Sequence, residues 1–444
     1  MLPLRERRYH RDLTESLVGQ QAVAAGWLQD VRDQGKIAFL LVRDKTGVTQ
    51  VVVKKQGVGE DRYKAIVSTP RESVVAVQGQ VNASKAKAGG FELLIDAQGG
   101  FEVLNPSAAP LPLGVVDKVS ADLETRLDNR FLDARKPEVR AIFQVRSAIV
   151  EAGIAYFHAQ GFTQIHTPRI IAASSEGGTE LYPVKYFEQD AYLAQSPQLY
   201  KQAMMSSGLD RVFEVATYFR AEKHNTPRHL NEITAFDAEM AFIDSEEDVM
   251  KLLQGAIHHM WKHVADTCQD ALAARSLTLK VPPLPFARVP HAEAVRIVNA
   301  TGKLASPAGP NEDLSTEAER VLGEHMAAQG HDFFFVTKYP GAVRPFYTFV
   351  DEDGISRSFD LEHHGMEITS GAQRQHDPAK LEQALKAKGL DPADFEGYLK
   401  AFRYGMPPHG GFGLGIDRMT MELLGLDNVR EAVLFPRDRT RLRP

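Results

Sequence analysis

Phe219-Arg220-Ala221-Glu222-Lys223-His224-Asn225-Thr226-Pro227-Arg228-His229-Leu230 is the stretch on which the reading of this chain turns. The runs Val212 to Phe219 and Thr234 to Phe242 on either side are rich in β-branched and aromatic residues. That spacing predicts an antiparallel hairpin with a polar tip from Arg220 to Glu232. The stretch from Phe219 to Leu230 concentrates two arginines, a lysine, two histidines and a carboxylate. A solvated loop would account for them, and so would a triphosphate site, because a guanidinium stays charged and bonds oxyanions bidentately.

Upstream of the hairpin, Ile142, Val145, Ile149, Ile154 and Phe157 recur at helical spacing and predict a long amphipathic helix from Ala141 to Gln160. Phe162 to Pro168 then reads as a strand stopped by proline. Downstream, helices are expected over Glu246 to Cys268, Glu317 to Ala328 and Pro378 to Gly389. Asp351-Glu352-Asp353-Gly354 between Phe346–Val350 and Ile355–Leu361 reads as a second hairpin turn. The pattern is α+β with antiparallel strands. No GxxxxGK[ST] loop occurs, and the run Gly410-Gly411-Phe412-Gly413-Leu414-Gly415-Ile416-Asp417-Arg418 lacks GxGxxG spacing and a preceding strand, which argues against P-loop and Rossmann sites. Its glycines would let a flat ligand approach the backbone, and Arg418, at the start of a helix over Met419 to Leu424, could meet a phosphate.

The N-terminal part is different in texture. Six short β-rich runs lie between Ala22 and Leu104, with a helix expected over Asp61 to Val67 between the third and fourth, the outline of an OB-fold barrel. The proline-rich Asn105 to Pro112 follows and reads as a linker. The expected division is an OB-fold domain over 1–104, a linker over 105–130 and a catalytic domain over 131–444.

The 444 residues carry a net charge of −6, but residues 1–103 hold 15 Lys and Arg against 12 Asp and Glu. A mildly basic module on an acidic body suits a polyanionic partner, and random variation of surface charge explains it equally well. The single cysteine, Cys268, excludes an internal disulfide and fits a reducing cytoplasm. No stretch approaches the roughly 18 apolar residues of a membrane span, and the first residues show no apolar targeting core, so a soluble protein with no membrane partner is expected. His259 and His263 stand at i, i+4 with no third ligand nearby, and no structural zinc is expected.

Taken in order, Phe162…Thr167-Pro168, Phe219-Arg220-Ala221-Glu222…Arg228-His229-Leu230…Glu232 and Gly411 to Arg418 resemble the three motifs of class II aminoacyl-tRNA synthetases. The OB-fold ahead of them is similar to class IIb, the aspartyl, asparaginyl and lysyl enzymes. Gln195-Ser196-Pro197-Gln198-Leu199-Tyr200-Lys201, Ser174 to Glu180 and Arg403 to Gly411 resemble the aspartyl-tRNA synthetases of archaeal and eukaryotic type. The resemblance covers nearly the whole chain. It implies a ligase that activates L-aspartate with ATP and then charges tRNA(Asp), with tRNA(Asn) left open.

What the resemblance implies for single residues follows. Arg220 would bridge the substrate carboxylate and the α-phosphate; Glu222, Arg228, His229, Leu230, Gly415, Ile416, Asp417 and Arg418 would bind ATP. Glu367 and Ser370 would hold Mg²⁺, with Glu367 also on the ATP side. Glu176, Gln198, Lys201, Ser370 and Arg374 would bind the amino acid. Two fixed cations, Lys201 and Arg374, favour aspartate by charge alone, since neutral asparagine would leave them unpaired in a desolvated pocket. Arg32, Phe39 and Gln50 would read the anticodon, and a homodimer is implied through the helix and strand before Pro168. Gln29 and Lys87 lie in the loops expected to choose between the two tRNAs and lean toward a discriminating enzyme. The chain departs from the family at Ile416-Asp417, where a small residue and glutamate are common, and at Ala372, where glycine is common. The competing readings are an asparaginyl enzyme and a synthetase-like paralogue without activity, which the Lys201 run, Arg374 and the intact arginine set oppose.

Overall fold

A computed structural model describes residues 2–84, 90–95, 99–116, 121–172, 181–223 and 225–444. Two compact units divide after Ala121, within the stretch read as a linker. The first contains β1 (Gln21–Asp33), β2 (Ile37–Arg43), β3 (Val48–Lys54), α1 (Glu60–Val67), β4 (Val74–Ala83), β5 (Phe91–Ile95) and β6 (Gly100–Asn105). The strand order β1-β2-β3-β5-β4, with β4 returning to pair with β1, closes the expected five-stranded OB barrel, and β6 adds to β4. Alternation builds it: β2 turns Ala38, Leu40 and Val42 into the core and leaves Ile37, Phe39 and Leu41 half-exposed. Val51, Val53, Val75, Val77, Leu93 and Ile95 complete that core. The buried Arg43 and Glu72 form an ion pair at 2.7 Å that ties the end of β2 to the turn before β4.

The second unit is an eight-stranded sheet with helices packed on it. Its elements include α2 (Pro137–Ala159), β7 (Thr163–Gln164), α3 (Gln198–Ala203), β8 (Arg211–Phe219), β9 (Glu232–Ala241), α4 (Glu246–Thr267), β10 (Ala287–Pro290), α5 (Thr316–Ala328), β11 (Phe333–Thr337), β12 (Ser358–His363), β13 (Met366–Gln373), β14 (His409–Gly415) and α6 (Ile416–Leu424). The order is β10-β11-β12-β13-β14-β9-β8-β7, antiparallel except for the two end pairs. The core lies where α2 and α4 meet the sheet: Ile142, Val145, Ile149 and Phe157 pack with Leu253, Ile257, Trp261, Phe236 and Phe412. A reciprocal cap between Ser245 and Asp248 starts α4, satisfying backbone donors that would otherwise be orphaned.

Three elements differ from the sequence reading. The strand expected over Phe162 to Pro168 is only the two residues of β7. Beyond it the chain is held by side-chain bonds instead: the buried Glu214 accepts from the Thr167 N–H at 3.0 Å and from its hydroxyl at 2.9 Å, and pairs with Arg169. Phe346 to Val350 forms no strand, only isolated bridges at Thr348 and Val350, with the Asp351–Gly354 turn closed by the Asp351 N–H on the Ile355 carbonyl. The glycine run, read as the entry to a helix with no strand before it, is itself strand β14 in the middle of the sheet. Small side chains there are a packing requirement. A Cβ on Gly411 would stand 2.1 Å from both the Ala238 carbonyl oxygen and Glu239 Oε2, while Ala372, the departure from family glycine, is its cross-strand partner and fits fully buried.

Gly411→Ala is therefore expected to destabilise the second unit by about 1–3 kcal/mol, the usual cost of overpacking. A fall of several degrees in melting temperature checks it; an unchanged melt would show that β9 and β14 have room to spread.

Candidate active site

A cavity of about 340 Å³ opens between the β8–β9 tip, β13 and β14. Gln198, Arg220, Glu222, Arg228, His229, Leu230, Glu367, Ser370, Arg374, Gly415, Asp417 and Arg418 all line it, so residues spread over 220 positions of sequence converge on one hollow. Three of the expected residues stand apart. Ile416 is fully buried in the core under the cavity, Lys201 lies just beneath its floor, and Glu176 falls outside the described residues.

The described residues of the hairpin tip are held by their own backbone and by a distant segment. The Arg220 N–H donates to the Asn231 carbonyl at 3.0 Å, and the Asn231 amide reaches back to the carbonyls of Arg220 and Glu222 at 2.7 and 3.2 Å. The Asn231 N–H donates to the Arg437 carbonyl and the Val429 N–H to Pro227, both at 2.8 Å. Arg430 donates to the Thr226 carbonyl at 3.1 Å and to Asn225 Oδ1 at 2.6 Å while pairing with Asp438. Asn231, Arg430 and Asp438 carried no signal in the sequence, because the tip and the segment around Arg430 that is bonded to it lie 205 positions apart. On this frame Glu222 stands 3.9 Å from both the Arg220 and His229 side chains, and Arg220 lies 5.6 Å over the Tyr218 ring. Arg418 donates to the carbonyls of Glu367 and Arg228 at 3.1 and 3.4 Å. Asp417, expected on the ATP side, turns its carboxylate away: it pairs with Arg146 of α2 and accepts from the Thr234 N–H at 2.9 Å.

The cavity floor is an inner-sphere charge network. Lys201 Nζ donates to Asp237 Oδ1 and to the Phe412 carbonyl at 2.9 Å and lies 3.5 Å from Glu239. Arg374 Nε meets Glu239 Oε1 at 3.0 Å and stands over the Tyr347 ring. Burial pushes the Glu239 carboxyl up, but Arg374 and Lys201 outweigh it and hold it below its ordinary value. His409 closes the network. Its Nε2 lies 3.1 Å from the Gln202 amide nitrogen and its Nδ1 2.9 Å from the Pro407 carbonyl, and Gln202 in turn accepts from Gln198 at 2.8 Å. Asp237, Glu239 and His409 were missed by sequence reading, since alternation along a strand marks them only as inward-facing positions.

A second group of carboxylates lies around Glu367, the one of them that lines the cavity. Burial first, then mutual repulsion, raises Glu319, Glu362 and Glu367; Glu319 is pushed to about 7 even though Arg228 and Arg418 oppose the shift. Asp360 Oδ1 and Glu362 Oε2 are buried without a hydrogen-bond partner, and Asp360 is the cross-strand partner of Ser370. Among the described residues no three such side chains close on one point. Mg²⁺ prefers one or two carboxylates completed by substrate phosphates, and Glu367 and Ser370 beside the unbonded Oδ1 of Asp360, whose other oxygen pairs with Arg344, fit such an ion.

In the barrel, Arg32 and Phe39 are direct cross-strand partners and Gln50 pairs with Leu41 two residues on, which places all three on the outer face. Gln50 donates to Glu92 at 2.6 Å. Gln29, expected in a loop, sits instead at a bulge within β1, and Arg43 approaches its side-chain oxygen at 3.4 Å; Lys87 falls outside the described residues.

An antiparallel sheet whose central glycine strand and arginine-bearing hairpin enclose the cavity is the architecture of class II synthetases. The tRNA synthetases class II (D, K and N) family matches residues 122–439, and the OB-fold nucleic acid binding domain family matches residues 22–102. The chain belongs to the class II tRNA synthetases of this group, as the three motifs implied, and is an aminoacyl-tRNA synthetase. It is 49% identical to the aspartate–tRNA(Asp) ligase of Thermococcus kodakarensis over 98% of this chain and 99% of that one. It is 50% identical to the aspartate–tRNA(Asp/Asn) ligase of Methanocorpusculum labreanum over 95% and 96%. Among solved structures, the asparaginyl-tRNA synthetase of Pyrococcus horikoshii with asparaginyl-adenylate superposes with a TM-score of 0.89 at 32% identity, covering 99% of this chain and all of that one.

His409 supplies a pH test of this floor. Burial, against the pull of Glu239, lowers it to about 4, so at neutral pH it is uncharged in the fold. The unfolded chain takes up its proton near pH 6.5, so stability falls as pH drops from there toward 4, by up to about 3 kcal/mol. In His409→Gln the loss of stability between pH 7 and 4.5, measured by chemical denaturation, should shrink by about 2 kcal/mol; an unchanged acid limb would place the effect elsewhere.

Proposed function

We propose that the protein is an aspartate–tRNA ligase working as a cytoplasmic homodimer. The observation that carries the amino-acid assignment is the cation pair Lys201 and Arg374, buried at the cavity floor and balanced by Asp237 and Glu239. A substrate carboxylate arriving there gains charge-assisted bonds from the Arg374 guanidinium that lines the cavity, whereas an amide would gain only neutral ones and a lysine side chain would meet like charge. The identities of about 50% with aspartate ligases, against 32% with the asparaginyl structure, support the same choice.

The reaction needs no nucleophile from the protein. The aspartate α-carboxylate attacks the ATP α-phosphate and pyrophosphate leaves; a hydroxyl of the tRNA 3′ ribose then attacks the aminoacyl carbonyl and AMP leaves. The protein's task is orientation and charge stabilisation at the phosphorus, the terms that dominate such chemistry. Arg220, partly exposed at the mouth of the cavity, would bridge the attacking carboxylate and the α-phosphate. Glu222 and the backbone at Leu230 would meet the adenine, with His229, Arg228 and Arg418 on the triphosphate. The role of Asp417 in this proposal is indirect: by anchoring to Arg146 and the Thr234 N–H it fixes the start of α6 and so the base of Arg418. Gln198, Ser370 and Glu176 would hold the amino acid. Glu367, Ser370 and Asp360 would hold Mg²⁺, which when bound neutralises phosphate charge. The OB barrel would read the anticodon, with Phe39 stacking and Gln50 and Arg32 bonding base edges. The domain scheme, barrel over 1–104, linker over 105–130 and catalytic body over 131–444, is kept as part of this reading. For the dimer, the support is an apolar hollow on α2, where Phe143, Val150 and Ile154 face Val433, Leu434 and the half-exposed Phe435. Relatives are named for tRNA(Asp) alone and for both tRNAs, so the second acceptor is decided by experiment.

Charging of tRNA(Asp) and tRNA(Asn) transcripts side by side, with asparagine and lysine as control amino acids, tests the reading. Aspartate on tRNA(Asp) is the expected product, and charging with asparagine instead would overturn it. In the same system Arg220→Ala should lower aspartate-dependent ATP–pyrophosphate exchange by about 10²–10³-fold, the range seen when one transition-state contact is removed. Gln50→Ala should spare that exchange and weaken tRNA charging by about tenfold; equal loss of both would refute the division of labour between the units.

A further inference from the structure

Helix α5 (Thr316–Ala328) stands outside the three motifs, yet it sends one side chain to the hairpin tip. Glu319 Oε2 meets Arg228 Nη1 at 3.2 Å, with the Glu319 side chain 16% and the Arg228 side chain 25% exposed. The helix is set at that distance by a contact with no slack. A Cβ on Gly323 would stand 2.3 Å from the Gly365 backbone nitrogen. Gly365, at φ +79° in the turn between β12 and β13, would likewise bring a Cβ to 2.6 Å from the Glu319 carbonyl oxygen. Helix and turn therefore ride on each other backbone to backbone, and Glu319 is carried by the same turn that leads into β13 and Glu367. On the other side, Arg228 is tied through its carbonyl to Arg418, and Arg418 to the Glu367 carbonyl. The backbone of the arginine is thus fixed by one set of bonds, and its long side chain is aimed by Glu319.

We infer that Glu319 is a positioning residue for ATP: it acts through Arg228, holding the guanidinium aimed at the triphosphate before the nucleotide arrives. The inference rests on the synthetase reading above. An arginine side chain loses about 2 kcal/mol of rotamer freedom when it is fixed, and a carboxylate that fixes it in advance lowers what nucleotide binding must supply. One fork nitrogen is engaged by Glu319, which leaves the rest of a bidentate donor for phosphate oxygens.

The test is a double-mutant cycle read by aspartate-dependent ATP–pyrophosphate exchange, which isolates a pairwise contribution. Glu319→Gln, which keeps shape and removes charge, should raise KM for ATP by about tenfold and leave KM for aspartate within twofold. Arg228→Ala should raise KM for ATP further, and Glu319→Gln added to Arg228→Ala should change it by less than twofold. An undiminished Glu319→Gln effect in the Arg228→Ala background would overturn the inference and make Glu319 a direct partner of the nucleotide or its cation. An unaltered KM for ATP in Glu319→Gln would overturn it as well. Melting curves of all variants separate a folding defect, and Glu319→Asp, which keeps the charge at shorter reach, should recover part of the ATP affinity and runs the same cycle if the glutamine variant does not fold. Absence of exchange in the unmodified protein would sink the synthetase reading itself, an outcome distinct from any result of the cycle.

Discussion

The ion pairing of Glu239 with Arg374 and Lys201 is the constraint on which the rest of this site depends. Two cations and two carboxylates taken out of water are tolerable only as a set, because each loses several kcal/mol of hydration that partners alone can offset. The set in turn dictates the sheet. Glu239 can lie between β9 and β14 only if β14 has no side chain at Gly411, and Lys201 bonds the Phe412 carbonyl on the same strand. A row of glycines that looks like a ligand-binding loop is thus first a solution to a packing problem, and the open floor it leaves is what a substrate then uses.

Across the cavity the charge logic is reversed. Glu319, Glu362 and Glu367 are crowded in a poorly solvated wall, and burial with repulsion from neighbouring carboxylates raises the affinity of these three for protons, although Arg228, Arg344 and Arg418 oppose the shift. The arginines of the tip and of α6 stand between the two regions. The cavity thus meets Arg374 at its floor and Glu367 at its wall, so its two ends differ in electrostatic character.

Much of this could be read from the sequence, and the limits have physical causes. The barrel strands were visible because each turns one face inward and so alternates; the hairpin β8–β9 and helices α2, α4 and α5 were visible because their periods are long enough to register. The glycine strand was misread because alternation needs side chains, and β14 has almost none facing the cavity. The strand expected before Pro168 shrank to two residues because Glu214, a side chain, does the work of a ladder there. Residues with charge at motif spacing, such as Arg220, Arg228 and Arg418, were found; Glu239, His409 and Asn231 were not, because their significance lies in partners that only folding brings near. Asp417 lines the cavity, but its carboxylate meets Arg146 and the Thr234 N–H, a direction that a spacing pattern does not carry.

One feature of the hairpin tip bears on how the molecule comes into being. The tip is stapled by residues from 428 to 439, and the contact between Arg430 and Asn225 spans 205 positions of chain. During synthesis the arginine loop emerges long before the segment that shapes it, so a nascent chain holds the parts of a nucleotide site without its geometry.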